Sequence, residues 1–236
     1  MKRYKFLLVA LLCFLCGCGW MPPWEYYNAE SFIAYYLAGD IQVGFQRNNY
    51  IRNNYINLYW ATFDTNEYSY KSRGKEKEIY EELCVKHNDT GYNKREADPK
   101  ELATGDFTYR MVYWKDFVAI DVISDRDFDT EHPAGSSLGD VVMYWGFSYW
   151  EYVKSGYTFI YEGEYFPLPH SNPIEGYINN IPEEGLCLIK ELSLHFPFVP
   201  ESAEGEHNLT ITITADDGTV YQLGCLVMLK ATEAQM

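Results

Sequence analysis

The sequence predicts an all-β protein, a mainly antiparallel sandwich with one or two short helices on its flank. Three observations carry the prediction. Aromatic residues make up 17% of the chain and charged residues only 22%, a balance that favours packed strands over disorder. Leu209, Ile211 and Ile213 alternate with Thr210, Thr212 and Thr214, the period of a strand with one buried and one wet face. Asn pairs and an Asp-Asp-Gly triplet punctuate such runs where the chain must turn.

Ahead of the β-rich region, Met1-Lys2-Arg3-Tyr4-Lys5 sets three positive charges before an apolar run over 6–16, the layout of a secretory leader. The run is too short to span a bilayer, which takes about 20 apolar residues. It ends in Leu15-Cys16-Gly17-Cys18, which resembles the lipobox of bacterial lipoproteins, with an apolar residue at −3, a small one at −1 and then the cysteine. Cys13 and Cys16 follow leucines, too bulky for a peptidase site that selects small side chains. The resemblance implies a leader over 1–17, cleavage after Gly17 and a diacylated Cys18, and two or more chains give stable anchoring. Gly19 is not the aspartate that retains lipoproteins at the inner membrane in well-studied envelopes, and residues 19–24 lack an acidic surface-export cluster. The expected place is therefore the cell envelope, the outer membrane rather than the inner, facing the periplasm.

Residues 18–24 read as a lipidated tether, because Pro22 and Pro23 fit neither helix nor strand interior. Residues 25–230 form one β-rich domain, with a subdivision near 100 as the alternative, and 231–236 a disordered tail. The chain carries a net charge of −15, and loss of the leader's three cations leaves −18. Such a surface repels phosphate backbones and anionic lipid, so nucleic acid is not an expected partner and the membrane is reached through the lipid alone.

The elements follow in order. Residues 41–45 and 55–63 alternate as strands around two Asn-Asn-Tyr-Ile echoes that suit turns. Over 74–87 the charges gather on one side of a helix and Ile79, Leu83 and Cys84 on the other, as in a surface helix covering a sheet. The polar stretch 88–105 reads as loop. Residues 107–114 and 117–124, parted by Lys115-Asp116, read as a hairpin whose Val118, Ile120 and Val122 face the core. The alternating strand, the Asp216-Asp217-Gly218 turn and the apolar run 220–229 look like the last hairpin of an immunoglobulin-like sandwich, with His207 where a corner tyrosine often sits.

Two passages, Ile123-Ser124-Asp125-Arg126-Asp127-Phe128-Asp129 with His132-Pro133-Ala134-Gly135-Ser136-Ser137-Leu138, and the C-terminal hairpin, resemble an uncharacterised group of Bacteroidota cell-envelope lipoproteins. The resemblance covers about a quarter of the exported chain and implies the anchored, β-rich character without adding a mechanism.

The candidate sites are few. Asp125, Asp127, Asp129 and Glu131 alternate in a loop and could hold calcium, although Thr130 and Ser136 stand where an EF-hand needs Gly and Glu; the plainer reading is a solvated acidic turn. Tyr144, Trp145, Tyr149, Trp150 and Tyr152 could stack against sugar rings, the plainer reading being core and cross-strand pairs. With Cys18 lipidated, Cys84, Cys187 and Cys225 are odd in number, and Cys187 with Cys225 is the pair expected if any forms. No zinc, nucleophile-elbow or phosphate-loop motif occurs. No cofactor is expected beyond the calcium alternative. The reading is a lipid-anchored, non-catalytic binding or scaffolding module with a protein or glycan partner, the alternative being a glycan-binding or adhesin-like module.

Overall fold

In the computed structural model, the described residues are 30–47, 54–60, 66–92, 110–158 and 171–232. The leader, Cys18, the tether and the last four residues, on which several expectations fall, lie outside them.

Most of the strands build two antiparallel layers. The larger has the order β2(Ile41–Arg47), β3(Asn54–Trp60), β9(Ile189–Phe196), β7(Met143–Ser148) and β8(Asn172–Tyr177). The smaller has the order β11(Val220–Leu229), β10(Gly205–Ala215) and β6(Phe117–Ser124). Their inner faces meet in one core. Ile56, Leu58, Tyr144, Leu192, Leu194 and Phe196 come from the larger layer, and Ile120, Val122, Leu209, Ile211, Ile213 and Val227 from the smaller. Each such apolar side chain contributes roughly 1.5–3 kcal/mol by leaving water. The protein is thus the mostly antiparallel β-sandwich that the alternation predicts.

A third, three-stranded sheet forms the flank. β1(Tyr35–Ala38) pairs antiparallel with β4(Asn66–Ser69) and parallel with β5(Met111–Tyr113). Helix α1(Lys75–Lys86) packs on it, with Glu76 and Glu78 in its first turn and Lys86 in its last, matching the helix dipole. The short helix α2(Trp150–Lys154) follows β7 directly. These elements share a second core of Phe32, Ile33, Tyr36, Tyr80, Cys84, Tyr92, Val112, Tyr149, Tyr152, Val153, Tyr157 and Leu188. Its rings meet edge to face, Phe32 lying 5.3 Å from Tyr149 and 4.8 Å from Tyr152.

Three expectations need correction. Residues 107–114 and 117–124 do not form a hairpin: β5 joins β1 in the flank while β6 joins β10 in the sandwich, so Lys115-Asp116 is a crossing between layers. Val118 does not face the core. Ala215 pairs with Phe117 but Thr214 with Ala119, and this bulge breaks the alternation, burying Phe117 and leaving Val118 40% exposed. On α1 the deepest anchors are Tyr80 and Cys84 rather than Ile79, because Tyr80 reaches the Ile33 carbonyl with its hydroxyl at 2.8 Å.

At the sandwich corner His207 does the work expected of a tyrosine. Its Nε2 lies 2.9 Å from the Ala203 carbonyl and its Nδ1 2.8 Å from Ser124 Oγ, with the ring fully buried. The shorter side chain suffices because the 3-10 turn Glu201–Ala203 brings that carbonyl close.

Candidate functional site

The acidic loop after β6 directs its carboxylates to its own framework. Asp125 accepts from the Asn208 backbone N–H at 2.8 Å and from its side-chain amide at 2.6 Å. Asp127 accepts from the Ala134 N–H at 2.8 Å. Asp129 accepts from the N–H groups of Glu131 and His132, both at 2.8 Å. Glu131 is exposed, and among the described residues no three His, Cys, Asp or Glu gather as a group that could hold a metal ion. Among the described residues the four candidate calcium ligands form no such group: Asp125 faces Asn208 on β10, and Asp127 and Asp129 face backbone N–H groups of the loop. In place of such a site the loop holds His132, with Asp129 Oδ1 2.8 Å from Nδ1 and Asp140 Oδ1 2.9 Å from Nε2.

The aromatic candidates separate by face. Tyr144 lies in the sandwich core, and Tyr149 and Tyr152 in the flank core, each at most 5% exposed. Trp150 packs against the flank core beside His87. These four turn to the two cores rather than to one outward face, Trp150 and Tyr152 as part of α2 itself. Trp145 alone of the five points outward, half-buried on the outer face of the larger layer, 5.1 Å from Phe147.

That outer face is the most distinctive surface of the sandwich. The register sets Glu175, Trp145, Ser193, Asn57 and Gly44 in one row across five strands, and Tyr177, Met143, His195 and Tyr55 in the next. Tyr55 and His195 lie 5.1 Å apart, ring to ring. The Tyr59 ring lies over Gly44, and a Cβ there would stand 2.8 Å from it and push the ring aside. Tyr55 and Trp145 are half-buried, and Tyr177 is 39% exposed. His195 is buried among them, and among the described residues its Nδ1 has no hydrogen-bond partner. Burial holds its imidazole below the ordinary histidine pKa although Glu175 pulls the other way, so it is neutral at pH 7. A signal for this strand was present in Leu192-Ser193-Leu194-His195-Phe196, apolar and polar in strict turn.

A second polar group lies where the flank meets the sandwich. His87 Nε2 is 3.0 Å from both oxygens of Asp116, and its Nδ1 is 2.9 Å from the Leu83 carbonyl. Lys86 bridges Asp116 at 2.7 Å and Asp216 at 2.8 Å, and Lys115 holds Asp217 at 2.9 Å. Sequence reasoning passed over these residues because they are far apart in the chain. Both nitrogens of His87 are engaged within the fold.

Cys187 and Cys225, the pair favoured if any two were to join, are not bonded to each other here. Cys84, Cys187 and Cys225 are all buried free thiols. Cys225 belongs to the sandwich core, whereas Cys187 lies before β9, its Sγ 3.3 Å from the Glu184 carbonyl. Burial pushes the Cys84 thiol up to about 11 and the Cys187 thiol to about 12, so neither supplies a thiolate at neutral pH. No family model, no curated protein and no solved structure matches the chain.

Proposed function

We propose that the protein is a lipid-anchored module of the bacterial cell envelope, a member of the Bacteroidota lipoprotein group that it resembles, held at the outer membrane through Cys18 and acting by binding rather than by catalysis. The observation that carries the reading is the sequence Leu15-Cys16-Gly17-Cys18 at the end of a charged and apolar leader. The sandwich adds a rigid body whose three described cysteines are thiols held protonated or placed in the core. Labelled palmitate should enter the wild-type chain and not Cys18→Ala. Equal labelling of the two ends the reading.

A glycan-binding role is the second reading, and the half-buried rings on the outer face of the larger layer favour it. Strands fix such rings to about the spacing of the ladder, so they present flat apolar area at small entropic cost.

A further inference from the structure

The outer face of the five-stranded layer combines three properties. It offers flat rings, Trp145 and Tyr55, from neighbouring rows of the sheet. Between them it offers uncharged hydrogen-bonding groups, Asn57 and Ser193 in the Trp145 row and the buried, unpartnered Nδ1 of His195 beside Tyr55. At one edge it carries carboxylate, through the exposed Glu175. A buried polar atom with no partner is unfavourable, so a ligand hydroxyl that reached it would be bound the more tightly.

We infer that this face, centred on Trp145, Tyr55 and His195, is a binding site for an uncharged glycan. The inference rests on the second reading above and names its residues and ligand class. A sugar has an apolar C–H face that packs on an aromatic ring and a rim of hydroxyls that both donate and accept. A neutral imidazole also does both, one at each nitrogen, and a carboxylate at the rim accepts from hydroxyls. The charge of the molecule sets the class. At −15, with Glu175 in the central row, the surface repels sulfated, sialylated and uronic acid sugars, as it repels phosphate. A protein partner would be expected to find a continuous apolar patch. Here the Trp145 row sets Glu175, Ser193 and Asn57 beside a single ring, so the apolar area is interrupted.

The test uses the full chain purified from expressing cells, on an array of neutral and acidic glycans, with affinities for the neutral hits measured by calorimetry. Neutral glycans should be bound in preference to acidic ones, and Trp145→Ala and Tyr55→Ala should each weaken binding at least tenfold. Trp145→Phe, which keeps a ring, should retain most of it. Met228→Ser, on the outer face of the other layer where Met228 is 46% exposed, should bind as wild type. Thermal melting of each variant guards against loss of fold, and Tyr55→Leu, which fills space without a ring, stands in if Tyr55→Ala does not fold. A blank array, a preference for acidic glycans, or undiminished binding by folded Trp145→Ala overturns the inference. Palmitate labelling reads the anchor separately, so failure of one leaves the other intact.

Discussion

The imidazole of His87 and the carboxylate of Asp116 meet at 3.0 Å through both carboxylate oxygens, joining the last turn of α1 to the crossing between β5 and β6. Asp116 is 4% exposed and His87 2%. Around them Lys86 ties Asp116 to Asp216, and the Asp116 and Asp216 backbones are joined by the Asp216 N–H at 3.0 Å. One buried carboxylate thus fastens flank, crossing and C-terminal turn together.

Removing that carboxylate should be severe. Asp116→Ala leaves a buried imidazole and the Lys86 ammonium without their shared acceptor, and breaking a buried pair in this way costs about 3–5 kcal/mol. Denaturant unfolding should show a fall of that order, against less than about 1 kcal/mol for Lys77→Ala, whose 3.6 Å pair with Glu81 is exposed. The acid limb is set by the same group. Burial pushes the Asp116 carboxyl up, but hydrogen bonds and charge from His87 and Lys86 outweigh it and hold it below the ordinary carboxylate value. A depressed folded pKa contributes stability above the unfolded value near 3.8, and that stability is lost as pH falls through the folded one. Stability of wild type should therefore decline below about pH 4, and part of this decline should be absent from Asp116→Ala.

His132 predicts the opposite slope. Both its ring nitrogens face carboxylate oxygens, and only an imidazolium donates from both. Burial opposes the charge, but Asp129 and Asp140 outweigh it and raise the pKa above 6.5. The clamp is complete below that value and lost as pH rises through the folded pKa. Proton NMR should find His132 titrating above the unfolded value. Loop amides of 125–140 should exchange faster on the alkaline side, beyond the intrinsic pH dependence of exchange, and His132→Gln should abolish the difference. A titration at or below 6.5 rejects the clamp.

The sandwich was legible because its strands keep one face buried. Leu209, Ile211 and Ile213 announce β10, and the hairpin to β11 is local, so alternation and turn chemistry sufficed. The β2–β3 pair was legible for the same reason. What failed was non-local. The parallel pairing of β1 with β5 joins residues some 75 positions apart, and β1 is only four residues long, too brief for a period to show. Val118 was misplaced by a bulge that depends on the partner strand. Among the site residues, Trp145 was found by composition. Tyr55 and His195 were not, because their nearness to Trp145 exists only once β3, β9 and β7 are adjacent. Tyr149 and Trp150 were drawn inward by a second core that no single segment reveals.

Gly146 and Gly224 should respond differently to an added side chain. A Cβ at Gly146 would fall against the Glu191 carbonyl oxygen, with the Glu191 carbon at 3.0 Å and the Leu192 Cα at 3.1 Å, all of it backbone of the adjoining strand. Neither partner can swing aside, so Gly146→Ala must part β7 from β9 beside the register shift at Ser148. A loss above about 3 kcal/mol is expected, the upper end of overpacking. At Gly224, in the middle of β11, nothing lies within 4 Å of the added carbon. Gly224→Thr should leave stability unchanged or raise it by up to about 1 kcal/mol, through strand preference and a less free unfolded chain. Melting curves for the two variants check both signs.

Asp89 should separate the flank from the sandwich. It is wholly buried and accepts from the Phe32 N–H at 2.7 Å, the Ile33 N–H at 2.8 Å and the Tyr157 hydroxyl at 2.8 Å. One side chain from the end of α1 therefore holds the strand entering β1 and the residue beyond α2 in place. Asp89→Ala orphans two backbone donors and a phenol in a dry core, at roughly 1–3 kcal/mol for each group left unsatisfied. Asp89→Asn should recover part of the loss, because an amide oxygen in the Oδ1 position still accepts from the Phe32 N–H and the Tyr157 hydroxyl and only the Ile33 N–H then meets a donor. The loss should fall unevenly, since Phe32, Ile33 and Tyr157 pack in the flank core and none belongs to the sandwich core. Hydrogen exchange on Asp89→Ala should show amides 32–37 and 80–87 opening first while Leu209, Ile211 and Ile213 keep near wild-type protection. Uniform loss across both cores would mean that they unfold as one unit, and that Asp89 stabilises the whole chain rather than its flank.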